Sequence, residues 1–349
     1  ILAAFSDEPT LEAERVVERF VGADDVVTRL QGSVRGGAFV LHGPWGVGRT
    51  SWVMQLVSRL PAATRIVRFE PSKRLTTVQQ LCEEWQSVLD TPEAPTCPDE
   101  IAAALLKREA DVVILDGAEL LFLRTIGGYG AIEALASIVA DTREHILWLM
   151  TCASPAFSYL CRTMAFEQNF DQVIALPRWS EGEIRSLVQR RQEASGIAAN
   201  FDDLLVHEGA GERRLTQVVE TEEGYIRLLW NFAEGNPRVA QLFWLRSLYP
   251  DPQGRMRVRL YTAPTADDLE WLSEQEKFLL AAFHLHGPLS INALALACRQ
   301  PPPRVRAHVD RGVAKGLYVR SSLQDESYLI SLEHWQAAQV ALRRKNLLH

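Results

Sequence analysis

The sequence has no run of about 18 uninterrupted apolar residues, the length that a transmembrane helix needs. The longest candidate, ILWLMTCASPAFSYLC at 146–161, is interrupted by Thr151, Ser154 and Pro155. We therefore predict no membrane span within this chain. Because the first residue is Ile1 rather than Met, removal of an upstream signal or anchor stays open, and such a segment would allow membrane association.

Cysteine is also sparse, and no two cysteines have the CxxC spacing of a zinc or redox pair. The five are Cys82, Cys97, Cys152, Cys161 and Cys298. Their scatter and odd number fit a reducing, cytoplasmic setting. Internal repeats and low-complexity tracts are absent as well.

The charge balance lacks the positive excess that would make the whole surface suited to nucleic acid, because the net charge is −7. Residues 271–349 differ, with ten Lys and Arg against six Asp and Glu. A length of 349 residues predicts two or three domains, and 47% hydrophobic with 23% charged residues is typical of a globular protein.

The first half of the chain alternates apolar strand patterns with helical ones. Residues 1–35 begin with an amphipathic helix, and five strand patterns follow: GGAFVLHG, TRIVRFEP, DVVILDG, HILWLMT and DQVIALP. Continuous apolar strands that alternate with helices indicate a parallel sheet covered by helices on both faces. We predict this α/β domain over residues 1–178.

The second half is predicted to be helical and then mixed. Ser180 and Glu183 have capping-box spacing at the start of a helical domain over residues 179–250. The turn-rich YPDPQG at 249–254 is interpreted as a boundary. Three helices and then two short strands within 251–349 follow the winged-helix order.

One glycine-rich segment, HGPWGVGRTS at 42–51, has phosphate-loop spacing except that Arg49 replaces the usual lysine. Its position between a strand and a helix suits anion binding by backbone N–H groups, and the Thr50 hydroxyl suits Mg²⁺. The candidate phosphate-binding residues are Gly43, Pro44, Trp45, Gly46, Val47, Gly48, Arg49, Thr50 and Ser51. About 70 residues downstream, the apolar strand DVVILDG ends in Asp116, where an acidic residue would orient the magnesium.

These patterns resemble the AAA+ and STAND class of P-loop ATPases. FVGADDVVTRL is similar to the FVGRE motif of that class, with Ala23 in place of its arginine, and LDGAEL is similar to a Walker B motif of STAND and NACHT proteins. The resemblance implies Asp116 for Mg²⁺, Glu119 as the acidic group that positions water, and Thr151 as the sensor in ILWLMTCAS, with Ser154 second.

The resemblance continues into the second half. RWSEGEIRSLVQRRQEASGI is similar to the lid of origin-recognition-type and STAND ATPases, and EGNPRVA to the STAND GxP motif. It implies Pro237 near the adenine and Arg238 within reach of the phosphates. A helix-helix turn is the alternative interpretation of Gly235, Asn236 and Pro237. Arg143, Arg162 and Arg178 fall where the class carries an inter-subunit arginine finger, although solvent exposure is the expectation for each.

Arg49 is the main departure from the class. Lysine reaches phosphate as a compact, flexible charge, whereas arginine is planar and longer, so the exchange is not conservative. Positioning and electrostatics dominate phosphoryl transfer. We expect nucleotide binding to persist with slow or absent hydrolysis.

The predicted recognition helix of the winged helix carries Arg304, Arg306, Arg311 and Lys315 as candidate contacts to DNA or a protein partner, and Arg320 opens the wing. A core stripe is expected at Val305, Val309, Val313 and Leu317. His284 and His286 lack further ligands nearby, so a surface pair is expected rather than a metal site.

Three functions follow from the sequence. The first is an ATP- or ADP-binding, Mg²⁺-dependent regulatory switch whose nucleotide state controls the winged helix or self-oligomerisation. The second is an ATP-dependent, DNA-binding initiator or transposition-type regulator. The third is a structural adaptor with an inactive nucleotide pocket, which Arg49 leaves open.

Overall fold

The structure, a computed structural model, describes residues 36–204, 212–323 and 326–348, with the backbone alone for 212–220. The helix and the FVGADDVVTRL motif predicted within residues 1–35, including Ala23, lie outside the described residues. Residues 324 and 325 of the predicted hairpin turn do so too.

The centre of the fold is a five-stranded sheet in which every pairing is parallel. Its strands are β1 (Gly37–Gly43), β2 (Ile66–Phe69), β3 (Val112–Leu115), β4 (Leu147–Ala153) and β5 (Gln172–Ala175), in the spatial order β2-β3-β4-β1-β5. All residues of β3 and β4 are buried, as their continuous apolar runs predict. The parallel sheet predicted from the sequence is confirmed.

Five helices connect these strands along the chain. They are α1 (Arg49–Val57), α2 (Val78–Leu89), α3 (Pro98–Lys107), α4 (Gly130–Thr142) and α5 (Ser154–Met164). The apolar stripes of α2 to α5 share one core with the strands, in which Trp85, Ile101 and Trp148 are fully buried. A 3₁₀ helix, Ala118–Leu121, follows β3 directly.

Packing divides the described chain into two compact units. One holds residues 36–45, 56–176 and 266–348, so the sheet and the C-terminal helices belong together. The other holds residues 46–55, 177–204 and 212–265. The division into three domains at residues 1–178, 179–250 and 251–349 stays a prediction from the sequence.

The second of these units is mostly helical. Its elements after residue 176 are α6 (Glu181–Ser195), α7 (Glu212–Ala233), α8 (Pro237–Ser247), β6 (Leu248–Pro250) and β7 (Met256–Val258). The Ser180 and Glu183 capping box forms as predicted and starts α6. The segment YPDPQG, which is interpreted as a boundary, lies in an antiparallel hairpin that joins β6 to β7.

The C-terminal segment contains the predicted order of three helices and two strands. Its elements are α9 (Glu274–His286), β8 (Leu289–Ser290), α10 (Ile291–Cys298), α11 (Pro302–Ala314), β9 (Tyr318–Arg320), β10 (Ser327–Ile330) and α12 (Trp335–Arg344). The short strand β8 was not predicted; it pairs with β10 and extends the hairpin to three strands.

Two expectations for this segment are wrong. Val313 is 40% exposed, whereas Gly312 is buried because the Tyr318 ring covers it, so the buried face of α11 passes through Gly312. The His284 and His286 side chains are buried rather than on the surface. Both belong to a helix that is apolar on most faces, and the His284 ring stacks on Trp335 with 5.4 Å between centroids.

Candidate functional site

The loop after β1 is shaped by two glycines in the left-handed region. Gly46 has φ +81° and Gly48 has φ +101°, conformations that other residues adopt only with strain. The Gly48 carbonyl accepts the first backbone hydrogen bond of α1, from the Trp52 N–H at 2.9 Å. The strand, loop and helix order that phosphate binding requires is therefore present at residues 37–57.

Arg49 and Thr50 are the first two residues of α1, and both are half-buried. The first turn of this helix carries no acidic side chain, so none neutralises the partial positive charge at the N-terminus. The helix end therefore favours an anion in front of it.

The loop packs on the turn that begins α8. A Cβ atom at Gly46 would lie 2.8 Å from the Asn236 Oδ1 atom and 3.0 Å from the Arg238 Cβ atom. Asn236 caps α8 by accepting hydrogen bonds from the backbone N–H groups of Arg238 and Val239. Residues 235–237 are thus a helix-helix turn, as the alternative interpretation held, and this turn also contacts the glycine loop.

Trp179 holds the same loop from a second direction. Its indole Nε1–H donates to the Val47 carbonyl at 2.9 Å, and its backbone N–H donates to the Gly235 carbonyl at 2.9 Å. Trp230 Nε1–H donates in turn to the Trp179 carbonyl at 2.8 Å. The sequence did not predict a role for Trp179. The only signal was its position directly before Ser180, which begins the capping box of α6.

A second set of polar groups lies where β3 and β4 end. Leu115 is in register with Met150, so Asp116 and Thr151 occupy neighbouring positions at the carboxyl edge of the sheet. The Thr151 hydroxyl donates a hydrogen bond to Asp116 Oδ1 and accepts one from the Gly117 N–H at 3.0 Å. The structure therefore brings together two residues that the sequence predicted for one site.

Glu119 lies one turn beyond Asp116 and is only 2% exposed. Its Oε2 atom accepts a hydrogen bond from the Ala153 N–H at 2.9 Å, at the end of β4. A buried carboxylate needs such a donor, because an unpaired one would be costly to desolvate. This bond fixes the Glu119 carboxylate beside the last residue of β4.

His42 precedes the glycine loop and was not predicted as a site residue. Its ring stacks on Phe157 with 4.6 Å between centroids, and its Nδ1 atom lies 3.0 Å from the Ser154 Oγ atom. Ser154, the second sensor candidate, starts α5 directly after β4. The ends of β1 and β4 are thus tied together next to the loop.

The three arginine-finger candidates have different surroundings. Arg143 forms an ion pair with Asp171, and Arg178 forms one with Glu234 at 2.7 Å. Arg162 is exposed on α5. Two of the three therefore have acidic partners within this chain.

The predicted contact residues on α11 also divide in two. Arg304 and Arg306 are exposed, whereas Arg311 donates to Glu276 at 3.1 Å and the Lys315 ammonium lies 4.6 Å from the Trp271 ring centroid. Internal contacts therefore engage Arg311 and Lys315 already.

Comparison with known proteins gives structural matches only: no protein-family profile and no curated protein sequence matches the chain. The Aeropyrum pernix ORC2 protein in ADPNP-ADP complexes matches with a TM-score of 0.51 and 15% identity, over 99% of this chain and 97% of that one. Its ADP form matches with a TM-score of 0.50 and 16% identity over the same shares of the two chains. The chain has the P-loop NTPase fold.

Cdc6p from Pyrobaculum aerophilum matches with a TM-score of 0.47 and 14% identity, over 99% of each chain. In a P-loop NTPase fold, as in other open α/β sheets, ligands bind at the carboxyl ends of the strands. The glycine loop follows β1, Asp116 follows β3, and Thr151 lies two residues before the end of β4.

In the part of the chain that the structure describes, every helix is too short or too polar to span a membrane. The same residues contain no group of three or more His, Cys, Asp and Glu side chains placed to hold a metal ion by themselves.

Proposed function

We propose that the protein is an ATP- and ADP-binding regulatory switch of the AAA+/STAND class, with Mg²⁺ as its cofactor. The observation that carries this proposal is the glycine-shaped loop of residues 43–48, which leads into a helix without acidic residues in its first turn. The Asp116 and Thr151 pair at the carboxyl edge of the same sheet supports it.

The residues present fit a magnesium nucleotide. Backbone N–H groups of residues 43–51 would bind the phosphates, Thr50 and Asp116 would hold Mg²⁺, and Pro237 and Arg238 would lie towards the base and the phosphates. Mg²⁺, when bound, neutralises charge on the β- and γ-phosphates. Thr151 orients the Asp116 carboxylate, and Glu119 is the candidate acidic group for water.

Hydrolysis is expected to be slow. Arg49 supplies a positive charge where lysine is usual, but its planar guanidinium cannot take the same position against the γ-phosphate. Catalysis of phosphoryl transfer depends on such positioning, whereas binding depends mostly on the loop N–H groups. The protein would therefore keep a nucleotide long enough for its bound state to act as a signal.

The signal would act on the C-terminal helices or on assembly with a protein partner or a second copy. Residues 266–348 form one compact unit with the sheet, so their helices are in a position to respond to the nucleotide. We interpret α9, α10, α11 and the three short strands as a winged-helix domain.

Calorimetry with Mg-ATP and Mg-ADP at millimolar concentration tests this proposal, together with mass measurement in the presence and absence of nucleotide. We expect binding of both nucleotides and a change in mass or hydrodynamic size. Asp116→Asn should weaken the magnesium-dependent part of binding, whereas Asp90→Asn, an exposed change at the end of α2, should not. Absence of any nucleotide binding would refute the switch and favour the adaptor with an inactive pocket.

A second candidate function is DNA binding by an ATP-dependent initiator or transposition-type regulator. The observation that favours it is the exposure of Arg304 and Arg306 on α11, next to the buried Val305. Phosphate contacts of this kind make affinity fall steeply with salt. A salt-dependent shift of duplex DNA that Arg304→Ala and Arg306→Ala abolish would support this candidate, and no binding at low salt would remove it.

A further inference from the structure

A turn in the C-terminal segment, formed by His286, Gly287 and Pro288, contacts the phosphate loop. Gly287 has φ +71°, and a Cβ atom there would lie 2.4 Å from Cζ2 and 2.5 Å from Cη2 of Trp45. The Trp45 indole thus lies directly on the backbone of this turn, which we call the 286–288 turn. Trp45 is the third residue of the loop that begins at Gly43.

The same turn is bound to the segment that follows β3. The Arg74 guanidinium donates to the Glu119 carbonyl at 2.7 Å and the Phe122 carbonyl at 2.6 Å. It also donates to the His286 carbonyl at 2.7 Å and the Pro288 carbonyl at 3.0 Å. One side chain therefore joins four carbonyls from two segments that are more than 150 residues apart in sequence.

Further contacts connect these two segments. The His286 ring lies 4.8 Å from the Phe122 ring between centroids, and its Nε2 atom accepts from the Arg124 N–H at 3.3 Å. On the other side, the Leu75 N–H donates to the Leu120 carbonyl at 2.9 Å, which anchors the backbone beside Arg74. Residues 119–124 and the 286–288 turn therefore form one connected structure.

The chemistry of Arg74 suggests more than filling of the core. Arg74 is only 9% exposed, and burial of a guanidinium is costly unless its donors are engaged. An apolar residue would pack this space without that cost. The planar guanidinium donates to both segments, so it fixes the position of the 286–288 turn relative to residues 119–122. An apolar residue could not do this.

We propose that the 286–288 turn couples the C-terminal helices to the nucleotide motifs, with Arg74 as the positioning residue that carries the coupling. This proposal rests on the proposed function and names the contact through which the switch acts. Through Trp45, a shift of the phosphate loop would move the 286–288 turn. Through Arg74, a shift of the segment that contains Glu119 would move the same turn. Because packed interiors do not deform continuously, a shift at either motif displaces the turn that starts from α9.

Coupling of this kind is reciprocal. If nucleotide binding loosens or tightens the 286–288 turn, a change in the turn must alter nucleotide affinity by the same factor, typically about 5- to 150-fold. A purely structural role for Arg74 would lower stability without this link. The two roles therefore differ in a measurable way.

The test uses the full chain with Mg-ATP and Mg-ADP as probes and reads two quantities. Amide hydrogen exchange over residues 274–290 is compared with and without each nucleotide, and affinity is measured by calorimetry. In the unmodified protein we expect exchange in this segment to change by about 5-fold or more on nucleotide binding. Arg74→Lys, whose single ammonium cannot span four carbonyls in two segments, should reduce that ratio towards one and shift nucleotide affinity.

Arg65→Lys is the matched control, because Arg65 is a half-exposed guanidinium paired with Glu109 and Asp111. It should leave both quantities unchanged. Trp45→Phe is the second variant, since it shortens the ring that lies on Gly287 without touching Arg74. It keeps the test decisive if Arg74→Lys does not fold.

The outcomes separate the two proposals. If the unmodified protein binds no nucleotide, the proposed function and the coupling both fall. If it binds nucleotide and the exchange response of residues 274–290 is the same in Arg74→Lys and Trp45→Phe, the coupling is refuted and the proposed function stands. Loss of the response in each of the two variants that folds, with Arg65→Lys unaffected, supports the coupling.

Discussion

The Thr151 hydroxyl donates a hydrogen bond to the Asp116 carboxylate while it accepts one from the Gly117 N–H. Thr151 is fully buried. The arrangement holds one carboxylate oxygen in a fixed direction at the edge of the sheet. Two residues that are 35 positions apart therefore act as one polar unit.

Thr151→Val tests this unit. The variant keeps the shape of the side chain but leaves the Gly117 N–H without its acceptor, so we expect a loss of about 1–3 kcal/mol in the free energy of unfolding. Magnesium-dependent ATP affinity should fall by about tenfold, or roughly 1.4 kcal/mol, because Asp116 loses its orientation. Urea unfolding and calorimetry with and without Mg²⁺ measure the two effects.

Thr142→Val is the matched control for this change. Thr142 is also fully buried, donates to the Ile138 carbonyl at 2.7 Å and accepts from Trp148 Nε1–H at 2.8 Å. It should lose similar stability with unchanged nucleotide affinity. Equal effects of the two variants on affinity would contradict a special role for Thr151.

Arg49→Lys should raise ATP turnover. A lysine ammonium in the first turn of α1 restores the compact charge that phosphoryl transfer requires, and we expect an increase of at least about tenfold, which equals ~1.4 kcal/mol in the barrier. Nucleotide affinity should change less than turnover. Phosphate release measured at saturating Mg-ATP, with Arg59→Lys as the control, gives the result. Turnover well above about one per minute in the unmodified protein, abolished by Asp116→Ala, would contradict slow hydrolysis.

Trp179→Phe should weaken the attachment of the phosphate loop. The variant keeps the aromatic ring but removes the donor of the Val47 carbonyl, and an unsatisfied buried acceptor costs about 1–3 kcal/mol. We expect lower nucleotide affinity together with lower stability. The control is Trp52→Phe, because the buried Trp52 Nε1–H has no hydrogen-bond partner among the described residues. A Trp52→Phe variant with the same loss of affinity would argue against the loop attachment.

The stability of the protein should depend on pH through His284. Burial, together with a smaller effect of the nearby Arg343 charge, lowers the pKa of His284 to about 4. The unfolded chain binds a proton near pH 6.5 whereas the folded one does not, so this stabilisation is complete above about pH 6.5 and is lost as pH falls towards 4. The contribution is at most about 3 kcal/mol.

His284→Phe should flatten this slope. Phenylalanine keeps the stacking on Trp335 but cannot titrate, so urea unfolding between about pH 6.5 and 4 should show a smaller decline than in the unmodified protein. His286 is buried too, and its lowered pKa preserves part of the slope. An identical slope in His284→Phe and in the exposed control His145→Gln would rule out the assignment.

Much of the fold could be predicted from the sequence, because the five strands are short apolar runs, and a glycine, aspartate or proline closes each predicted pattern except HILWLMT. The proximity of Asp116 and Thr151 was also within reach, since the carboxyl ends of parallel neighbours meet at one edge. The glycine loop could be predicted from the spacing of its glycines. Each of these features depends on a short stretch of sequence or on the pairing of parallel strands.

Contacts between distant segments could not be predicted. Arg74 carries no local motif, and its partners His286 and Pro288 follow it by more than 200 residues. Burial of His284 and His286 depends on Trp335 and Phe122, which lie on other elements. The periodicity of a sequence predicts which face of a helix is apolar. It does not predict which side chains of other elements cover the polar residues of that helix.

The position of β1 in the sheet has a consequence for the order in which the chain folds. β1 lies between β4 and β5, and Gly37 pairs with Leu147, so both of its neighbours are synthesised more than 100 residues later. A nascent chain therefore carries the phosphate loop on an unpaired strand until residues 147–175 have left the ribosome. Pairing over such sequence distances is slow, because the loop-closure entropy must be overcome first. The strand that supports the phosphate loop is thus among the last to be completed during synthesis.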